Sequence, residues 1–211
     1  MNERDRGLFI SMEGIDGSGK TSQCQLLAEW LKSENLPICM CTDPGSTAIG
    51  LELRRLLLHS RSEMAPLTEA LLFMASRAEL IEQIIKPALQ RNEIVLCDRF
   101  LLSTVVYQGY GAGLDPDYLW QLGGIAAAGV LPSYTFLFDL PLEIAFRRRG
   151  KEPDRMESRA LEFHQRVRNG FLTEAYKHPD RIEIIDATNS VDAISEKLKK
   201  RFSELLKQSS E

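Results

Sequence analysis

Residues Leu8-Phe9-Ile10-Ser11-Met12 form a short apolar run. After Glu13 the chain continues Gly14-Ile15-Asp16-Gly17-Ser18-Gly19-Lys20-Thr21 into a long stretch of helical periodicity. A strand that runs straight into a helix through a glycine-rich turn leaves few options. The helix packs back over the sheet, and the next strand enters parallel to the first. The alternation recurs along the chain. Further runs rich in Ile, Val, Leu and Phe lie at residues 37–41, 94–97, 135–138 and 181–185. Helical patterns lie at 21–33, 49–58, 67–89, 101–108, 142–148, 156–176 and 191–206. Five such strands with interleaved helices predict an α/β fold of three layers around a five-stranded parallel sheet. At 211 residues the chain is expected to form one domain spanning residues 1–211.

Charge and composition narrow the partners. Lys plus Arg minus Asp plus Glu is 26 − 30 = −4, a mildly acidic balance that argues against broad nucleic-acid binding. No apolar run approaches the roughly 20 residues of a membrane helix, and residues 1–6 carry both signs of charge, unlike a secretory leader. A soluble, cytoplasmic chain with no nucleic-acid or membrane partner is the expectation. Cys24, Cys39, Cys41 and Cys97 lack any CxxC or histidine pairing, which points to reduced core thiols rather than metal ligands.

The turn from Gly14 to Thr21 matches G-x-x-x-x-G-K-[ST] in the strand-to-helix context where that motif cradles phosphates. Its glycines let successive N–H groups point inward, while Ile15, Asp16 and Ser18 complete the loop and the helix N-terminus adds positive potential. Lys20 is expected to reach the β- and γ-phosphates, and Thr21 to offer its hydroxyl to Mg²⁺. GTPases, motors and kinases all share such a cradle. No Asn-Lys-x-Asp guanine reader and no strand ending in paired acids accompanies it; one strand instead ends Cys97-Asp98-Arg99. Asp98 at that carboxyl end would face the same crevice and hold magnesium through water. Arg99 presents a planar fork suited to a second anion. The run Arg147-Arg148-Arg149-Gly150-Lys151, followed by Asp154-Arg155, is expected to form a short lid at about residues 147–155, whose arginines meet the charge of phosphoryl transfer. Gly109-Tyr110-Gly111-Ala112-Gly113 follows a helix pattern and is expected to be a mobile connection.

In this order the residues resemble the thymidylate kinase family over nearly the whole chain. Besides the phosphate loop, Asp98-Arg99-Phe100 with Ser103, Thr104, Tyr107, Gln108 and Gly109 is similar to its D-R-[YF]-x-x-S-[ST]-x-x-Y-Q-G segment. Leu72-Phe73-Met74-Ala75-Ser76-Arg77-Ala78 resembles its L-F-x-A-x-R-A helix, Asp43-Pro44-Gly45-Ser46-Thr47 its proline loop, and Asp154-Arg155-Met156-Glu157 the end of its lid. The resemblance implies a P-loop NTPase fold that transfers the γ-phosphoryl group of ATP to thymidine 5′-monophosphate (dTMP) with Mg²⁺, and usually a homodimer. The acceptor is already an anionic phosphate oxygen, so no strong general base is required. Another nucleoside monophosphate or deoxynucleoside kinase, or a non-catalytic nucleotide-binding module, is the alternative.

Carried over position by position, the resemblance implies that Phe73 stacks on thymine, Arg77 donates to its O4, and Thr104 and Gln108 serve the rest of the polar edge. Tyr107 would lie against the sugar and disfavour a 2′-hydroxyl, Asp16 would approach the 3′-hydroxyl, and Arg99, within the segment that includes Ser103, would hold the acceptor phosphate. Gly17 stands where one subtype carries an arginine, so the lid-arginine subtype is the better match, with Arg149 the first choice and Arg147, Arg148 or Arg155 the alternatives. The proline loop departs from T-R-E-P-G-G-T: Thr42 and Asp43 occupy the Arg and Glu positions.

Overall fold

The computed structural model describes residues 7–60, 62–149 and 154–208. Strand β1 (Phe9–Gly14) is central, with β3 (Ile94–Asp98) and β4 (Tyr134–Asp139) beside it and β2 (Ile38–Thr42) and β5 (Ile182–Asp186) at the edges. Every pairing is parallel; Met12 stands opposite Asp98 on one side and Phe136 on the other. β1 is buried along its whole length, as expected of a strand covered on both faces. Side chains alternate between those faces. Ile10, Met12 and Leu96 pack with residues of α1 (Lys20–Ser33) and α9 (Val191–Gln208). Phe9, Val95 and Cys97 pack with residues of α3 (Pro66–Leu80), α4 (Lys86–Gln90) and α6 (Pro116–Ala126). Helices α2 (Ala48–His59), α5 (Leu101–Thr104), α7 (Leu142–Arg148) and α8 (Leu161–Lys177) complete the layers. All four cysteines are unpaired thiols, and no helix among the described residues is long and apolar enough to cross a membrane.

The five strands fall where the apolar runs predict them; the helices differ in instructive places. The stretch 67–89, expected as one helix, widens into a π-helical turn at Ile81–Ile85 before α4. Pro87 supplies the reason: it has no N–H to donate and its ring crowds the carbonyl of residue 83, inside that turn. The helix expected over 156–176 begins only at Leu161, because residues 154–157 form a turn in which Asp154 Oδ1 accepts from the N–H groups of Met156 and Glu157 at 2.8 Å each. Helix α6 is absent from the sequence expectations, although Asp115 caps it and Pro116 opens it.

The glycine segment 109–113 is not a mobile connection. Val105–Gly111 is a buried π-helical continuation of α5, and only the residues after it form a loop. The glycine is there for close approach: a Cβ on Gly111 would stand 2.6 Å from the Phe163 ring and 2.9 Å from Val167 Cγ2, both on α8. Tyr107 and Gln108 are thereby carried on a packed wall rather than a loop.

Candidate active site

The phosphate loop joins the carboxyl end of β1 to α1. Its shape rests on close contact with α7: Gly17 has φ +82°, and a Cβ there would lie 2.4 Å from the carbonyl oxygen of Ala145. Lys20 is buried, with Nζ 3.4 Å from the Ile15 carbonyl oxygen and 3.6 Å from Asp16 Oδ1. Burial, then the neighbouring Arg99 charge, lowers its pKa. The cleft above the loop is lined by Gly17, Ser18, Gly19, Lys20 and Thr21 on one side. Arg148, Arg149, Asn189 and Val191 line the other. At its floor Thr21 donates to Asp98 Oδ2 at 2.5 Å, while Asp98 Oδ1 is buried without a hydrogen-bond partner among the described residues. A hydroxyl beside a carboxylate with an unsatisfied oxygen is the hard-donor set that Mg²⁺ takes, so the pair fits that ion.

A second cleft opens beyond Asp16, which lines both. Asp16 receives the Arg99 guanidinium on Oδ1 and the Tyr107 hydroxyl on Oδ2 at 3.0 Å. Burial alone would raise its pKa, but Arg99, Lys20 and the Tyr107 hydrogen bond together hold it well below the usual carboxylate range. Arg99 sits in the left-handed region, φ 69°, where a non-glycine residue persists only if its surroundings impose it. Its Nη1 donates to the Gly14 carbonyl oxygen at 2.9 Å and to Ser103 Oγ at 3.0 Å, and its plane lies 5.3 Å from the Tyr107 ring centroid. The fork therefore stands fixed between the phosphate loop and the second cleft.

That cleft is a slot between α3 and the π-helical wall. Phe73 is half-buried and lines it, outside the core clusters. Arg77 is fully buried beneath it. Nε donates to Asp43 Oδ2 at 2.6 Å, Nη2 to Thr104 Oγ1 at 2.9 Å, and Nη1 to Met74 Sδ at 3.0 Å. Gln108 Nε2 donates to Glu69 Oε1 at 2.7 Å. Asp154 and Met156, from the far end of the basic segment, close the slot's mouth.

The basic run divides by direction. Arg147 is exposed and donates to a carbonyl of its own helix, Glu143, at 3.3 Å. Arg148 donates to the Ala187 carbonyl oxygen at 2.9 Å, at the carboxyl end of β5. Arg149 turns to the junction: its guanidinium lies 4.5 Å over the Phe146 ring, Nε reaches the Asp16 carbonyl oxygen at 3.4 Å, and Nη2 is buried without a partner among the described residues. Arg155 faces away, donating to the Leu57 carbonyl oxygen at 2.7 Å and to Glu69 at 2.5 Å. Gly150, Lys151 and the rest of 150–153 lie outside the described residues.

Residues 12–198 match the family profile of thymidylate kinase. The chain belongs to the thymidylate kinase family. It is 47% identical over 190 residues to the thymidylate kinase of Rhodopirellula baltica, covering 90% of this chain and 78% of that one. Against that of Kosmotoga olearia it is 43% identical over 197 residues, covering 92% and 95%. A crystal structure of thymidylate kinase from Ehrlichia chaffeensis superposes with a TM-score of 0.77 at 36% identity, over 93% of this chain and 99% of that one.

Three buried acids complete the site of this family member, and sequence reasoning passes over two of them. Glu13 on β1 accepts from the Phe100 N–H at 2.8 Å and from Ser103 Oγ at 2.5 Å, clamping the turn that holds Arg99. Burial pushes its carboxyl up to about 7, against the opposing pull of Ser103, Arg99 and the Phe100 N–H. Glu69 has no exposed surface. Asp43, marked in the sequence only as a shortened loop acid, is the counter-ion of Arg77. The signals existed: an acid inside an apolar strand at Glu13, and four-residue spacing that puts Glu69, Phe73 and Arg77 on one helix face.

Proposed function

We propose that the two clefts meeting at Asp16 hold ATP and dTMP end to end, and that the γ-phosphoryl group passes between them at that junction. The chain is a thymidylate kinase, a phosphotransferase with a phosphate group as acceptor and ATP as donor. One observation carries the assignment of parts: Asp16 binds Arg99 through its carboxylate while its backbone oxygen meets Arg149, so a fork for each side of the transfer stands at one residue.

In this reading the loop amides and Lys20 hold the donor phosphates, while Thr21 and Asp98 would hold Mg²⁺, which when bound would offset the negative charge of the donor phosphates. Arg99 grips the acceptor phosphate, keeping its oxygen in line with the γ-phosphorus as the bond to the β-phosphate oxygen breaks and ADP leaves. No proton needs to be removed from that oxygen, so alignment and charge are what these residues supply. Arg149, desolvated on Phe146 with one nitrogen unengaged, meets the charge on the equatorial oxygens. Phe73 stacks on thymine, Arg77 donates to O4, and Thr104 and Gln108 complete the polar edge. Tyr107 lies under the sugar, where a 2′-hydroxyl would crowd it, and Asp16 accepts from the 3′-hydroxyl. A single domain with a lid near residues 147–155, a homodimer and a cytoplasmic setting belong to the same reading. Apolar side chains left exposed on α2 and α3, among them Leu51, Leu56, Leu67 and Leu71, support self-association.

The acceptor panel tests this. A slot that reads thymine by one methyl group discriminates against dUMP by about 1–3 kcal/mol, roughly 10- to 200-fold in kcat/KM. dCMP, which offers an amino donor to the Arg77 donor, is expected to be slower still. Equal turnover of dCMP and dTMP would remove the base assignment.

A further inference from the structure

One carboxylate ties the base slot to the lid arm. Glu69, in the first turn of α3, receives Gln108 Nε2 at 2.7 Å and Arg159 Nη2 at 3.1 Å on Oε1. Its Oε2 receives Arg155 Nη2 at 2.5 Å and Arg159 Nη2 at 2.8 Å. An ionised carboxylate only accepts, so the end of the Gln108 amide that faces Glu69 must be the NH₂. The carbonyl oxygen is then the end left for a ligand in the slot. Thymine carries an N–H at N3 that such an oxygen matches; cytosine carries an acceptor lone pair there, which it repels.

The two arginines reach Glu69 from the segment that closes the slot. Arg155 is held a second time by the Leu57 carbonyl, and Arg159 lies 4.6 Å over the Phe163 ring. Just before Arg155, Asp154 caps the turn that carries Glu157, whose carboxylate stands 3.9 Å from Arg149 Nε. The ion pairs at Glu69, the backbone of residues 154–159 and the Glu157–Arg149 contact thus connect the amide that meets the base to the arginine at the phosphoryl junction.

We propose that Glu69 is a positioning residue that sets the polarity of Gln108 toward a base with N3–H, and at the same time anchors the lid arm that aims Arg149. Base recognition and lid placement then share one carboxylate. The inference rests on the acceptor and lid roles proposed above.

The test is Glu69→Gln, assayed for kcat and KM with dTMP and with dCMP. The neutral amide has one accepting oxygen: turned to the arginines it leaves an NH₂ facing Gln108, which then turns its own oxygen to that NH₂ and its amide donor to the slot; turned to Gln108 it meets the arginines with a donor. The dTMP-to-dCMP ratio of kcat/KM is expected to fall about tenfold, and kcat for dTMP to fall about 10- to 100-fold, as displacement of a reacting group by about 1 Å does. KM for ATP stays near wild type. A merely structural role would lower thermal stability and leave the ratio alone. If Glu69→Gln does not fold, Glu69→Asp carries the test: it keeps the charge but withdraws the oxygen from Gln108, and the ratio should fall severalfold. An unchanged ratio, or an unchanged kcat, in the folded variant overturns the proposal. Wild-type enzyme that accepts dCMP as readily as dTMP would instead overturn the acceptor reading beneath it.

Discussion

Lys20→Ala is expected to lower kcat/KM for ATP by about 10³- to 10⁴-fold, equivalent to roughly 4–5.5 kcal/mol of transition-state stabilisation. The ammonium group is buried, yet its two protein contacts, 3.4 and 3.6 Å, are longer than a good hydrogen bond. The folded enzyme has therefore desolvated a cation without fully engaging it, and the donor phosphates are the partners proposed to complete it. An alanine leaves Thr21 and the loop amides in place, so ATP still binds, more weakly, but the charge developing toward the β-phosphate meets no fixed cation. Steady-state kinetics and a thermal melt separate this from misfolding. A folded variant within tenfold of wild type would contradict the assignment.

Arg149→Ala should lower kcat by about 10²- to 10³-fold while leaving KM for both nucleotides within about twofold. The group is held by its stacking on Phe146 and a long contact to the Asp16 backbone, with Nη2 unengaged. An interaction made only in the transition state lowers kcat without weakening ground-state binding. The neighbouring arginines are internal controls. Arg147→Ala should stay within about twofold of wild type, since Arg147 points along its own helix into solvent. Unchanged turnover of Arg149→Ala would move the role to another lid arginine.

What was legible in the sequence was local. The strands announce themselves because a parallel sheet covered on both faces needs nearly continuous apolar runs, and the phosphate loop because its glycines and Lys-Thr pair are contiguous. Family resemblance extended this to Phe73, Arg77, Tyr107 and Gln108, all of which line the second cleft. What stayed hidden depends on partners distant in the chain. Arg155 meets Glu69 across 86 residues and Ser103 meets Glu13 across 90; no periodicity reports such pairings. The π-helical wall was missed for a related reason. Gly111 reads as a loop residue until Phe163, more than 50 positions later, is seen to need the space.

One phosphoryl group is proposed to pass directly between two nucleotides at the Asp16 junction. Purified enzyme with magnesium and ATP radiolabelled at the γ-phosphate, supplied with dTMP, should move the label into dTDP with one ADP released per dTDP formed, and release almost none without the acceptor. Label appearing as inorganic phosphate at the same rate with or without dTMP would contradict the account.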